Sequence, residues 1–455
     1  MLGHGVSAIF RRSPLPLTVF PNRRFVHKHM SEADYDSWTK EELISRLVQL
    51  ESHGSSKPSS KGKGRAQAES IDWANAPRRK IALKFCYGGW DYGGLAIQKD
   101  RTPLPTVEGK LFGALVRARL VDPKGGLEGC GWERCGRTDR GVSAAGQVIS
   151  LWVRSALSQE ELTPASTPTE EHPFTYMINR HLPDTIKILA WSPVDASFSS
   201  RYSCTWRHYK YFFSPVGLDI AAMRAACAYL PGTHDFRNLC KIDPTKQLDQ
   251  FRRDILHASI SPVDASNPGG MHVFDLKGSS FLYHMVRNIM GVLLSIGARL
   301  EPPTLLPALM NVAPGCRPEY MMADALPLTL WDCGYPEGAV NWQPETRDPH
   351  SMVRVLPGPQ LRAVVPLEHS APTTTSGDEA ATPAVIVEDA APSAPRNVFI
   401  PLGGGTHRKM MSAKYVPVLQ RNRLEHFEVQ NARWREKARQ KGLKIPDHAP
   451  EDAEE

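Results

Sequence analysis

Residues 135–148 read CGRTDRGVSAAGQV. Gly136 and Gly141 bracket Arg137, Thr138, Asp139 and Arg140, and two glycines permit a tight loop with torsions closed to other residues. QVISLWV (147–153) follows at once and reads as a strand, which anchors the loop to a sheet. An acid flanked by two arginines stays ionised, because nearby positive charge favours the carboxylate form. The same composition also fits a turn aspartate that caps its own backbone amides.

Outward from this loop, KIALKFCY (80–87) alternates Ile81, Leu83 and Phe85 with smaller or polar neighbours, a strand pattern. PTVEGKLFGALVRARL (105–120) reads as a helix with proline in a permissible first-turn position. WRHYKYFF (206–213) is a strand with Arg207, Tyr209, Tyr211 and Phe213 on one face. DIAAMRAACAYL (219–230) is helical, RDILHASISPV (253–263) and MHVFDLKG (271–278) are strands, and LPLTLWDCGY (326–335) is the last strand. The longest helical pattern is FLYHMVRNIMGVLLSIGARL (281–300); its spacing groups Tyr283, His284, Arg287 and Gly291 beside an apolar face. Strands and helices are mixed, not strictly alternating. The expectation is an α+β domain with a mainly antiparallel sheet and helices on one face.

Four places have the residue types for chemistry. Asp139 is the acid of the glycine loop. Arg287 lies beside an apolar face, where a cation needs an anionic partner, although an arginine there also snorkels to solvent. Tyr209 beside Arg207 offers a flat ring next to a charge, suited to an extruded base; core packing is the other reading of such an aromatic strand. CYGGWDYGGLAIQ (86–98) interleaves glycine with aromatics.

The chain has 455 residues and a formal charge of +7, a mild basic excess compatible with a polyanionic partner. Its eight cysteines include no CxxC pair, so neither a zinc site nor a disulfide framework is expected. No run of eighteen apolar residues occurs, so no membrane span is expected. Residues 1–31 are arginine-rich with no acid, the composition of a mitochondrial presequence and equally of a basic leader. Residues 32–51 read as an N-terminal helix and 52–77 as a flexible linker. A folded α+β domain is expected over 78–336. A disordered linker follows over 337–397, then a basic helical extension with an acidic tail over 398–455.

Taken in order, these segments resemble the TruA family of tRNA pseudouridine synthases. The signature is GRTDRGVSA, joined by Tyr87-Gly-Gly-Trp90 with Gln98, Phe198-Ser-Ser-Arg201, Arg207-His-Tyr209, Gly232-Thr-His-Asp235-Phe236 and Tyr283-His-Met-Val-Arg287-Asn288. The resemblance covers about Arg78 to Pro336. HDFRNLCKID (234–243), the N-terminal helix and the basic C-terminal extension look like the eukaryotic branch that modifies positions 38 and 39 of the anticodon stem-loop.

The resemblance implies a pseudouridine synthase fold of two similar halves and a tRNA substrate. It implies Asp139 as the catalytic carboxylate and Arg137 as the arginine that displaces or holds the flipped nucleotide. Tyr209 would stack on the uracil, Arg287 would pair with the acid, and Leu328 would line the pocket. The isomerisation needs no cofactor and no metal. The family commonly works as a homodimer. The expected location is nucleus and cytoplasm, with the leader adding the mitochondrion.

Overall fold

The computed structural model describes residues 71–98, 102–158, 171–312, 316–344, 397–403, 406–411, 414–443 and 445. The basic leader, the helix expected at 32–51, most of the linker after it, residues 159–170 and 345–396, and the acidic tail lie outside them.

Twelve strands are described. In chain order they are β1 (Arg78–Tyr87), β2 (Glu133–Arg134), β3 (Ser143–Arg154), β4 (Ile186–Pro193), β5 (Trp206–Phe213), β6 (Gly232–Asp235), β7 (Arg252–Pro262), β8 (His272–Gly278), β9 (Leu328–Gly334), β10 (Gln343–Pro344), β11 (Asn397–Gly403) and β12 (Thr406–Met411). The first ten form one sheet in the order β10-β4-β1-β3-β9-β5-β8-β7-β6, with β2 added to β3. Its pairings are antiparallel except at the centre, where β3 and β9 run parallel over Ser143–Thr329 and Ala144–Leu330. That short parallel joint divides the sheet in two. Both central strands begin at the same end, so the loops leading into them meet there. The architecture is a mixed, mostly antiparallel α+β fold.

Among the described residues seven α-helices accompany the sheet: α1 (Val107–Arg117), α2 (Gly126–Gly129), α3 (Phe174–Asn179), α4 (Ile220–Cys227), α5 (Met285–Gly297), α6 (Leu305–Met310) and α7 (Phe427–Gln440). Thr106 caps α1 by accepting from the Gly109 amide, and Asp219 caps α4 through the Ala222 amide. Each cap satisfies an amide that has no partner within its own helix. In β5 every second residue is buried, and these are Arg207, Tyr209, Tyr211 and Phe213. This is the period-two pattern of a strand with one covered face.

α5 is almost wholly buried, which suits its near-continuous apolar sequence. It starts later than the 281–300 pattern suggested. Tyr283 and His284 precede its first turn, and His284 has a left-handed backbone (φ 62°). Gly291 lets the strap at 321–323 lie directly on the helix, because a Cβ there would meet the Met321 carbonyl oxygen at 2.3 Å.

The sheet also outlasts the expected domain end at Pro336, since Gln343 and Pro344 pair with Trp191 and Ala190 of β4. The C-terminal region is likewise part of the body. The β11–β12 hairpin reaches α5's strap, where the Asp324 amide donates to Leu402 O at 2.6 Å. Glu301 accepts from the Tyr415 hydroxyl at 2.6 Å and the Val418 amide at 2.7 Å. The extension read as helical thus opens with a hairpin, and its helix begins only at Phe427.

Candidate active site

The loop 136–142 is fixed by neutral contacts before any charge is considered. The Tyr87 hydroxyl and Thr138 Oγ1 are 2.6 Å apart, both buried. Gln147 Nε2 donates to Gly136 O at 2.9 Å. The Leu95 amide donates to Thr138 O at 3.2 Å, and the Val142 amide to Asp139 O at 3.1 Å. Gly89 permits the 88–98 loop to press on this one: a Cβ on it would lie 2.1 Å from Val142 O. The glycine–aromatic stretch after β1 therefore backs the acidic loop, a contact that no local sequence pattern signals.

Arg207 holds the root of the loop. It is 5% exposed; Nη2 donates to Cys135 O and Arg201 O, each at 3.0 Å, and Nη1 to Ser279 O at 2.8 Å. The guanidinium is spent on three carbonyls that end nearby chain segments.

Opposite the loop, Arg287 Nη1 lies 2.8 Å from Asp139 Oδ2, and His284 Nε2 lies 3.2 Å from the same oxygen. The Arg287 Nε donates to Ala323 O at 3.0 Å, on the strap that Gly291 admits. Among the described residues both contacts to the carboxylate fall on Oδ2, which leaves Oδ1 for a reacting atom. Burial pushes the Asp139 carboxyl up, but His284 and Arg287 outweigh it and hold it below its ordinary value. The flanking arginines Arg137 and Arg140, credited from sequence with this effect, are exposed. The charge that keeps the acid ionised comes from 148 residues further along the chain.

Arg137, Asp139, Tyr209, Arg287 and Leu328 line one narrow cleft of about 20 Å³, together with Thr138, Val142 and His284–Val286. Tyr209 is 5% exposed and its ring meets Phe281 edge-on, with centroids 5.2 Å apart. Leu328 opens β9 and is also nearly buried. Arg137 alone among these five is exposed, at the lip. The space holds little more than one water. His284 stands out in sequence only as a helix neighbour of Arg287. Its contact with Asp139 depends on a left-handed backbone at His284 (φ 62°), uncommon for a residue with a side chain, so no helical pattern in the sequence signals it.

Residues 226–336 match the family model described as tRNA pseudouridine synthase. The chain is 36% identical over 433 residues to the tRNA pseudouridine(38/39) synthase of Saccharomyces cerevisiae, covering 90% of this chain and 93% of that protein. It is 38% identical over 335 residues to the Homo sapiens protein of the same name, covering 67% and 68%. An archaeal tRNA pseudouridine synthase A from Methanothrix thermoacetophila is 33% identical over 282 residues, covering 61% of this chain and 90% of that protein.

Proposed function

Because this chain belongs to the tRNA pseudouridine synthase family, we propose that it converts uridine to pseudouridine in the anticodon stem-loop of tRNA, at positions 38 and 39. The observation that carries the proposal is the Asp139 carboxylate, held through one oxygen by Arg287 and His284 and open to the cleft through the other. The two sides of the parallel joint then correspond to the two similar halves of a pseudouridine synthase fold.

Pseudouridine formation breaks the N1–C1′ bond, turns the uracil and rejoins it through C5, which gives up its proton while N1 takes one up. No electrons or groups are gained, so no cofactor has a step to perform. A stem uridine first leaves its stack, at a cost of a few kcal/mol. Arg137 at the lip is placed to hold the displaced strand, and contacts to phosphate offset the cost. Tyr209 and Leu328 give the extruded ring a flat aromatic wall and an apolar one. Asp139 then acts as a nucleophile on C1′ of the sugar or C6 of the uracil, or as a base on the C2′ proton. Each route begins from the ionised carboxylate that Arg287 and His284 maintain.

In this reading the protein works as a homodimer in nucleus and cytoplasm, with residues 1–31 directing a mitochondrial fraction. The deciding experiment is a site-by-site map of pseudouridine in tRNA treated with the purified protein. Conversion at 38 and 39 is expected. Conversion only elsewhere in tRNA moves the assignment to another member of the family, and no conversion at all refutes the activity.

A further inference from the structure

Residues 234–247, HDFRNLCKIDPTKQ, take no part in the cleft, yet they end beside it. Lys241 is exposed, with Nζ 5.3 Å from the centroid of the Tyr283 ring. Half-buried Lys246 places its Nζ 5.9 Å from the same centroid. Tyr283 packs its ring on His284, centroids 3.9 Å apart, and His284 is the residue that touches Asp139. Two ammonium groups thus share one half-buried aromatic ring, a single side chain away from the histidine of the site.

Cation–π attraction at such a ring amounts to only about 0.5–1 kcal/mol per cation, and like charges drawn to one ring repel. A segment that places two lysines there concentrates positive charge where an anion would be welcome.

The segment is also held in place. Asn238 Nδ2 donates to Leu309 O at 3.1 Å, the Tyr320 hydroxyl to Asn238 O at 2.6 Å, and Arg317 Nη1 to Cys240 O at 2.7 Å. The Lys241 amide itself donates to Tyr283 O at 2.8 Å. α7 braces the far end. Arg435 Nη1 donates to Gln247 Oε1 at 2.6 Å, Asn431 Nδ2 to Leu248 O at 3.3 Å, and Phe427 packs edge-on against Phe251.

We propose that Lys241 and Lys246, spaced by Tyr283 and braced by α7, form a seat for an RNA phosphate next to the flipped nucleotide. This rests on the tRNA substrate proposed above. It also gives the basic C-terminal helix a role, since its inner face fixes the lysine segment. Phosphate contacts position the strand without reading sequence. They release counterions, which makes their share of binding depend on salt.

The test is binding of a tRNA transcript to the full chain across a salt series, with pseudouridine formation by the wild type measured in parallel. For Lys241→Gln with Lys246→Gln, the slope of log K against log salt falls by roughly 0.7–0.9, and binding at 0.1 M salt weakens roughly five- to tenfold. Arginine at both positions restores the slope. The charge-matched pair Lys80→Gln with Lys124→Gln, at the opposite end of β1 and on a remote loop, leaves it unchanged. An unaltered slope in the first variant, an equal loss in the remote pair, or no rescue by arginine overturns the seat. A wild type that binds tRNA but makes no pseudouridine refutes the activity instead, and leaves the lysine comparison readable.

Discussion

The two halves of the sheet serve one cleft by different means. The half built on β10, β4, β1 and β3 supplies the carboxylate, and it does so with neutral contacts. Tyr87, Gln147 and the amides of Leu95 and Val142 fix the loop. The half built on β9, β5, β8, β7 and β6, with α5 after β8, supplies Tyr209, Leu328, His284 and Arg287. It acts on Asp139 through charge. Where the acid sits is set chiefly from the first side, with Arg207 of β5 adding its hold on the loop's root, and how readily it ionises is set from the second, so each is open to separate disruption.

The largest effect removes the group on which both halves converge. Asp139→Asn keeps the side chain's size and loses its charge. Turnover is expected to fall by about 10⁴-fold or more, the scale for loss of an essential catalytic group, while tRNA affinity changes less than about threefold. Single-turnover pseudouridine formation beside a binding titration measures both. Activity within about tenfold of wild type would remove Asp139 from the chemistry.

Second is the charged side alone. Arg287→Met leaves Asp139 mostly buried without its guanidinium, at a cost of about 1–3 kcal/mol of folding stability near pH 7. The sign with pH follows from the direction of the shift. The folded-state value is depressed below the unfolded one, so the stabilisation is present above the ordinary carboxylate range and is lost as pH falls through the folded value. The stability gap between wild type and variant should therefore narrow below about pH 4. Urea unfolding at several pH values tests this, and a gap that stays constant down to about pH 3 would mean that the pair contributes nothing through charge.

Sequence carries the two halves unequally. The glycine loop before β3 and the alternation in β5 are local patterns, so Asp139 and Tyr209 stand out in the chain. Arg287 stands out because a cation in an otherwise apolar helix asks for a partner. The neutral lock is invisible by comparison. Tyr87 is another strand aromatic until β1 pairs with β3 and aims its hydroxyl at Thr138. Arg207 likewise looks like a site cation until its three carbonyl partners, spread from 135 to 279, are brought together. The docking of the C-terminal hairpin depends on long-range contacts of the same kind, across a proline-rich stretch that carries no period.

The smallest effect is also the sharpest test of the division. Tyr87→Phe deletes one hydroxyl and nothing else, leaving Thr138 Oγ1 buried without that partner. The cost is about 1 kcal/mol in stability, with turnover reduced a few-fold because the loop that carries Asp139 loosens. No charge near the carboxylate changes, so the pH dependence of stability should follow the wild type, offset by a constant. That parallel course is what separates this variant from Arg287→Met, whose gap closes in acid. Should Tyr87→Phe also converge with wild type below about pH 4, the hydroxyl pair would be controlling the carboxylate's ionisation as well as its position, and the two halves would be acting on the same property.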